Sequence, residues 1–461
     1  MQKFRGYFQT VFSGLLSLAL SCGALTTAAH ANSLQEALAT AYRNSDLLEQ
    51  NRQLLRLQDE GVAQQIAGLR PIVSLNASTT RNSGSSETIS SLQLVADLLI
   101  FDNGGSRILV EAAREQVSAA RFGLIDLEQV VLLNAVQAYV NVWRDTQVAQ
   151  VRDSNVRVVT QQLRAARDRF EVGEDTRTDV AQAEAQLAAA VSSLAAARGQ
   201  LEISEELYII AVGARPNFHG GPGALPHIPT SESEADHIAR QTHPSILQLQ
   251  RVTRANELSL DAARSDYGPT ITLRAQTGET FGGLQEGYGS SISLNLTQPI
   301  YRGGQLFALE RSAIAQLAAS QAQLNQQVRV IIQEVGNAYA RLRIANAQIR
   351  ASEQQIRAQD LALQGVQEEA SLGARTTLDV LDAEQALLDA RIGRIQAQAD
   401  LYVAAYSALS AMGLLTVENL HLPVAEYDPT AYSNEFSNAP ARIPSEQGDR
   451  LDALLERLGR D

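Results

Sequence analysis

The chain holds one cysteine and one tryptophan in 461 residues, with only 10 phenylalanines and 12 tyrosines. The cysteine, Cys22, sits in an N-terminal leader, so a chain cut after it has neither disulfides nor thiol chemistry. So few aromatics exclude a large aromatic core. The dominance of Ala, Gln, Leu and Arg reads instead as long helices and coiled coil. Basic charge is also short, 38 Lys and Arg against 51 Asp and Glu for a net charge of -13. A nucleic-acid partner needs basic surface to displace counterions from phosphates, and that class drops out. Catalytic patterns are missing as well. The 6 histidines are scattered: His30 lies in the leader, His219 and His227 in a Gly/Pro-rich linker, and none has helical metal-ligand spacing with a partner. Gly220-Gly221-Pro222-Gly223 lacks the preceding strand and following helix of a phosphate loop, and there is no G-x-S-x-G element. No enzyme, metal or cofactor is expected.

The leader has the three parts of a secretory signal. Lys3 and Arg5 precede an apolar run around residues 11–24, and Ala29-His30-Ala31 supplies an A-x-A cleavage site, giving a signal peptide over 1–31. The run is interrupted by Ser13, Gly14, Ser17, Ser21 and Gly23 and is too short to span a bilayer. Lipidation at Cys22 is the competing reading, but Ala19-Leu20-Ser21 matches a lipidation box poorly.

What is present is one unit written twice. Gly173, Thr176, Asp179, Val180, Ala183 and Glu184 recur two hundred residues on as Gly373, Thr376, Asp379, Val380, Ala383 and Glu384. Asn134 to Tyr139 matches Glu334 to Tyr339, and Phe101 to Gly104 matches Tyr301 to Gly304. A constant offset leaves no room for insertions, which suits long helices. Repeat 1 (32–213) reads as a helix over 33–69, opened by a Ser33/Glu36 capping box, a β-hairpin over 71–101, a long helix over 105–171 and a half helix over 179–212. Repeat 2 (233–415) has a helix over 233–267, a hairpin over 269–300, a long helix over 305–371 and a half helix over 379–412. A linker (214–232) joins them, and a Ser/Asn/Pro-rich, loosely held tail (416–461) follows, with one short amphipathic helix over 451–458.

Each long helix has no internal proline and reaches roughly 100 Å at 1.5 Å per residue. Two half helices end to end match that length. In the second copy Ala383, Ala390, Ala397, Ala404 and Ala411 recur every seven residues beside Leu381, Leu388, Ile395, Tyr402 and Leu409; Ala183, Ala190, Ala197, Ser204 and Ala211 do so in the first. Such a repeat means a supercoiled seam, and small residues let helices approach closely in a wall. The hairpin strands alternate apolar and polar with neither face fully apolar, and their length suits tilted membrane strands. Four strands cannot close a barrel, so oligomerisation is expected. Helices spaced about 10 Å apart leave a bore of only about 15 Å for two chains, against about 28 Å for three.

Leader, duplicated helix-hairpin-helix plan and the F/Y-x-x-G junctions at 101–104 and 301–304 together resemble the TolC family of outer-membrane channel-tunnels over residues 33–427. The most specific passage is LGARTTLDVLDAE (372–384), followed by Gly413 to Thr416, Leu422-Pro423-Val424 and Tyr427-Asp428-Pro429, an ending similar to the alphaproteobacterial type I secretion branch. The resemblance implies an α+β membrane protein: a homotrimer with a twelve-stranded transmembrane β-barrel in outer-membrane lipid, continued by a periplasmic α-helical tunnel. It implies partnership with a periplasmic adaptor (membrane fusion) protein and an inner-membrane transporter of ABC or RND type, exporting protein or small toxic compounds. The competing class is a non-transporting periplasmic coiled-coil scaffold.

The informative polar residues gather at the two helix breaks. Gly173 and Gly373 end the long helices, and Asp179 and Asp379 stand where the returning helices begin, suited to capping. Asp382 lies one turn further, on roughly the same face. Carried over from the family, Asp379 and Asp382 form an aspartate ring at the tunnel entrance, and Arg375 with Thr178 and Asp179 ties it shut. The family's aromatic tie falls at Ala370, which leaves more of the closed state to Arg375.

Overall fold

The computed structural model describes residues 33–81, 88–217, 220–282 and 286–432. The expected leader, Cys22 and the 451–458 helix lie outside them. Repeat 1 runs α1 (Leu34–Asn44), α2 (Asp46–Ala67), β1 (Ile72–Arg81), β2 (Thr88–Phe101), α3 (Gly105–Glu171) and α4 (Arg177–Val212). Repeat 2 runs α5 (Glu232–Thr242), α6 (Pro244–Ser265), β3 (Thr270–Phe281), β4 (Gly287–Thr297), α7 (Gln305–Ser371) and α8 (Thr377–Ala411). Both long helices have 67 residues, about 100 Å. No helix among the described residues is long and apolar enough to cross a membrane.

Two continuous helices expected from the sequence are broken instead. Ser45 (φ -76°, ψ 103°) separates α1 from α2, and its hydroxyl accepts the Leu48 amide at 3.3 Å, so one residue ends a helix and caps the next. His243 does the same between α5 and α6, held extended by the proline that follows it. The breaks divide labour. Seven of the eleven residues of α1 are buried, against Leu48 and Leu55 alone in α2. The short helices therefore seal a core at the middle of the molecule, where Leu38, Tyr139, Tyr208, Ile331 and Met412 are almost fully buried.

The described part of the expected tail, 416–432, is a further correction; the rest of it lies outside the described residues. Leu415, Val417 and Leu422 are buried in the same core, and the irregular strap beyond them lies along α2. There the Arg52 guanidinium stacks between the Tyr42 and Tyr427 rings, at 5.3 and 4.8 Å, and the Tyr432 hydroxyl donates to Glu60 at 2.6 Å. Residues 414–432 are thus fastened by cation–π and apolar contacts; the Ser/Asn/Pro-rich stretch follows them and lies outside the described residues.

The four strands form one antiparallel sheet in the order β1-β2-β3-β4. Its register collects most of the apolar residues on one side, because alternate residues of paired strands share a face. Val73, Leu75 and Ala77 pair with Ala96, Leu94 and Leu92, and Leu273 and Ala275 pair with Leu294 and Ile292. The opposite side is mainly polar, with Ser74, Asn76, Gln93, Thr272, Gln276, Ser291 and Asn295, and keeps Ile72, Ile89, Val95 and Leu99 as apolar members. The expectation that neither face is fully apolar fails over this central band.

Helix packing is unequal. α3 touches α1, α2, α4, α6 and α8, whereas α7 touches α5, α6 and α8. α6 and α8 therefore lie between the two long helices, while α2 and α4 pack chiefly on α3.

Candidate functional site

At the end remote from the sheet, both long helices stop in the same way. The Glu174 amide donates to the Arg169 carbonyl at 2.9 Å and the Gly173 amide to Phe170 at 3.1 Å; Ala374 to Glu369 and Gly373 to Ala370 repeat those distances. This double closure puts the intervening residue in the left-handed region, φ 82° at Gly173 and 76° at Gly373, where glycine carries no Cβ penalty. Neither turn can keep its shape with a branched residue there.

The returning helices begin at 177 and 377, two residues earlier than expected, and their caps are Thr176 and Thr376. Asp179 and Asp379 are the third helical residues of complete capping boxes. Each carboxylate accepts the amide of its threonine at 2.9 Å while the threonine hydroxyl accepts the aspartate amide at 3.3 Å. The Thr176 hydroxyl, then its amide, holds the Asp179 carboxyl below the usual range. The Thr376 amide and hydroxyl, with Arg375 beyond, do the same for Asp379. Both are fixed anions. Asp382 is exposed on α8 and enters no ion pair or hydrogen bond among the described residues. It is free to face solvent or a partner.

Arg375 does not reach Thr178 or Asp179 within the chain. Its Nε donates to Glu369 at 2.9 Å, and Nη1 lies 4.0 Å from Asp379. Thr178 is exposed on the other turn. Ala370 packs against the apolar cluster of Val380, Leu363 and Leu387 inside its own helix pair.

A different set joins the turns. Arg169 donates through Nε to Asp175 at 3.0 Å and through Nη2 to the Thr377 hydroxyl at 2.9 Å, and Thr377 also reaches Asp175 at 3.4 Å. Thr377 is 7% exposed, so this knot between the two repeats is partly desolvated. Sequence reasoning missed it, although a signal was there. Arg169 and Asp175 stand at the positions of Glu369 and Arg375: the same six-residue ion pair with its charges exchanged. Beneath the knot, Leu381 of α8 packs with Val159, Leu163 and Ala183 of α3 and α4, bringing the two helix pairs together.

The family described as Outer membrane efflux protein matches residues 34–210 and 237–413. The chain is 36% identical over 409 residues to the outer membrane efflux protein BepC of Brucella suis, covering 87% of this chain and 90% of that one. It is 25% identical over 386 residues to the outer membrane protein TolC of Escherichia coli, 76% of each chain. The crystal structure of the outer membrane protein VceC from Vibrio cholerae superposes with a TM-score of 0.71 at 21% identity, over 82% of this chain and 96% of that one.

Proposed function

The chain belongs to the outer membrane efflux protein family, and from that premise we propose that three copies close into an outer-membrane exit duct, a twelve-stranded barrel continued by a helical tunnel. One observation carries the reading: a four-stranded sheet with an apolar face and, among the described residues, no covering layer and two open edges. Leu75, Ile292 and Leu294 are 66%, 79% and 67% exposed. β1 and β4 each pair on one side only, leaving rows of amides and carbonyls that are costly unless another strand meets them. Pairing β4 of one copy with β1 of the next satisfies both edges, turns the apolar face to lipid and leaves the polar face around a lumen. The same step sets α7 beside the neighbour's α2 and α4. The non-transporting scaffold has no use for an uncovered apolar face.

The duct needs no catalytic site and passes material delivered by an inner-membrane transporter through a periplasmic adaptor. Its relative in Brucella is named for efflux, which favours drugs and other small toxic compounds as cargo; type I protein secretion is the second reading, favoured by the 372–384 passage and the ending at 413–429. A heat-resistant trimer in detergent-extracted outer membranes and step conductance in planar bilayers are the expected results. A soluble product without conductance overturns the duct.

At the tunnel entrance, Asp379 and Asp382 supply six carboxylates per trimer. Confined negative charge draws in cations and gives a multivalent ion oxygen ligands. Arg375 engages Glu369 in its own chain, so in this reading the clamp to Thr178 and Asp179 is made with those residues of an adjacent copy. Arg375→Ala and Asp179→Ala then raise conductance. The pair Asp379→Asn/Asp382→Asn lowers cation preference and trivalent-cation block. Parent-like conductance in the first two rejects the clamp, and parent-like selectivity and block in the last rejects the ring.

A further inference from the structure

Across the sheet, one row of the polar face reads Ile72, Asp97, Arg274, Ser293, each opposite the next in register. Arg274 donates to Asp97 through Nε at 2.6 Å and through Nη2 at 3.3 Å. By the alternation of the strands, these are the sole charged residues that the described strands turn to that face; Arg81 and Glu279 fall on the other, near the hairpin tips. The pair is four residues from the helix-side end of β2 and of β3, close to where the barrel gives way to the tunnel.

Both partners are about half exposed, 53% for Arg274 and 40% for Asp97, and such a pair adds little to stability. Its electrostatic effect is larger than its energetic one. Twelve strands about 4.8 Å apart and tilted about 40° enclose a barrel of roughly 12 Å radius. Side chains bring wall charges to roughly 8 Å from the axis, comparable with a Debye length of about 8 Å at physiological ionic strength. Three unpaired charges at that distance would alter ion concentration on the axis roughly three-fold. Paired head to head, opposite charges cancel over a few ångströms, and the axis stays neutral.

We propose that the Asp97–Arg274 rows form a second charge collar in the barrel lumen, held neutral by pairing, so that solutes of either sign pass the barrel and charge selection is left to the tunnel entrance. The proposal rests on the duct reading. Arg274 is its specificity-determining residue: it keeps Asp97 from making the barrel a second cation filter that would repel anionic and amphiphilic acidic cargo. A pair serving only to pin strand register would leave permeation untouched when removed.

The test uses the full-length trimer carrying Asp379→Asn/Asp382→Asn, whose entrance lacks its acidic ring. Arg274→Gln, Asp97→Asn and the double variant are added to it, and reversal potentials are read in planar bilayers under a KCl gradient. Arg274→Gln is expected to raise the potassium-to-chloride permeability ratio a few-fold, Asp97→Asn to lower it by a similar factor, and the double variant to match the starting protein. Arg274→Lys keeps the charge and is expected to keep the ratio, which guards against a packing effect. Equal ratios in all inserted variants overturn the collar. Absence of channels in the starting protein and its parent overturns the duct itself, a separate outcome.

Discussion

α4 and α8 are copies of one helix with opposite fates. They have 36 and 35 residues, begin with the same capping box and carry the same small-residue row, yet six residues of α4 are buried against sixteen of α8. α8 lies between α3 and α7; α4 leans on α3. The apolar residues that α4 leaves outside, Val191, Ile203, Leu207 and Ile210, are 50% to 81% exposed. Duplication therefore yields one helix completed within the chain and one whose apolar residues stay exposed in it. The proposed ring of identical copies requires that inequality, because each chain must then offer an unfinished edge.

Charge placed on each helix breaks the comparison hardest. Ile395 on α8 is 6% exposed, and Ile395→Asp buries an unpaired carboxylate at a cost of about 3–5 kcal/mol. Loss of folded protein on refolding, followed by circular dichroism, is expected. Leu207→Asp on α4 spares the fold and lowers the trimer fraction in size-exclusion chromatography with light scattering. A Leu207→Asp protein still fully trimeric would show that this face of α4 is not a seam.

The continuations after the two helices differ as well, and pH sharpens that contrast. After α4, Gly213 leads into the linker; after α8, the chain turns back into the core, where Glu128 accepts the Val417 amide at 2.6 Å. Burial pushes the Glu128 carboxyl up to about 7 against the Val417 amide, which favours the carboxylate; Glu426 and Glu418 on the strap add to the rise and Arg52 on α2 opposes it. Burial in the folded state favours the protonated acid, so the stabilisation is complete below the ordinary value of 4.5 and is lost as pH rises through about 7. The span corresponds to at most about 3 kcal/mol. Protease cleavage within 414–432 should quicken from pH 5 to pH 8 in the parent, and Glu128→Gln should flatten the profile. His243 acts with the reverse sign. Burial lowers its imidazole to about 4, so its contribution is present above the ordinary 6.5 and fades as pH falls toward 4. Ser45, at the corresponding break of the first repeat, carries no such dependence. His243→Gln should lessen the loss of thermal stability between pH 6.5 and pH 4.

A smaller effect probes the small-residue rows. Ala397 is 4% exposed against its neighbours, and Ala397→Leu overpacks the seam by about 1–3 kcal/mol. Ala197, in the looser copy, is only partly buried, and Ala197→Leu should shift the melting temperature of the detergent-solubilised protein far less. Equal shifts would mean that α4 is as tightly enclosed as α8.

The site was partly legible. The glycines and aspartates of the turns stand out because the chain repeats them, and each glycine sits where backbone closure demands it. The knot escaped because its partners lie more than two hundred residues apart, yet the exchanged charges at 169/175 and 369/375 were a readable sign that the turns differ. The break at His243 was announced by Pro244. That at Ser45 was not, since serine in a helical pattern is unremarkable until its hydroxyl is seen capping the next turn.

Periodicity by itself determined the elements, because hydrophobic spacing and capping are local properties that act along a single segment. Heptad rows dictate helices that pack side by side, alternation dictates strands, and the duplication dictates two of each. The tertiary structure decided which copy is enclosed and which is left open, that the sheet's register gathers most of its apolar residues on one face, and that Arg169 rather than Arg375 joins the two turns within a chain. Those outcomes depend on which surfaces meet across hundreds of residues. Two nearly identical helices carry no local mark of which neighbour each will find.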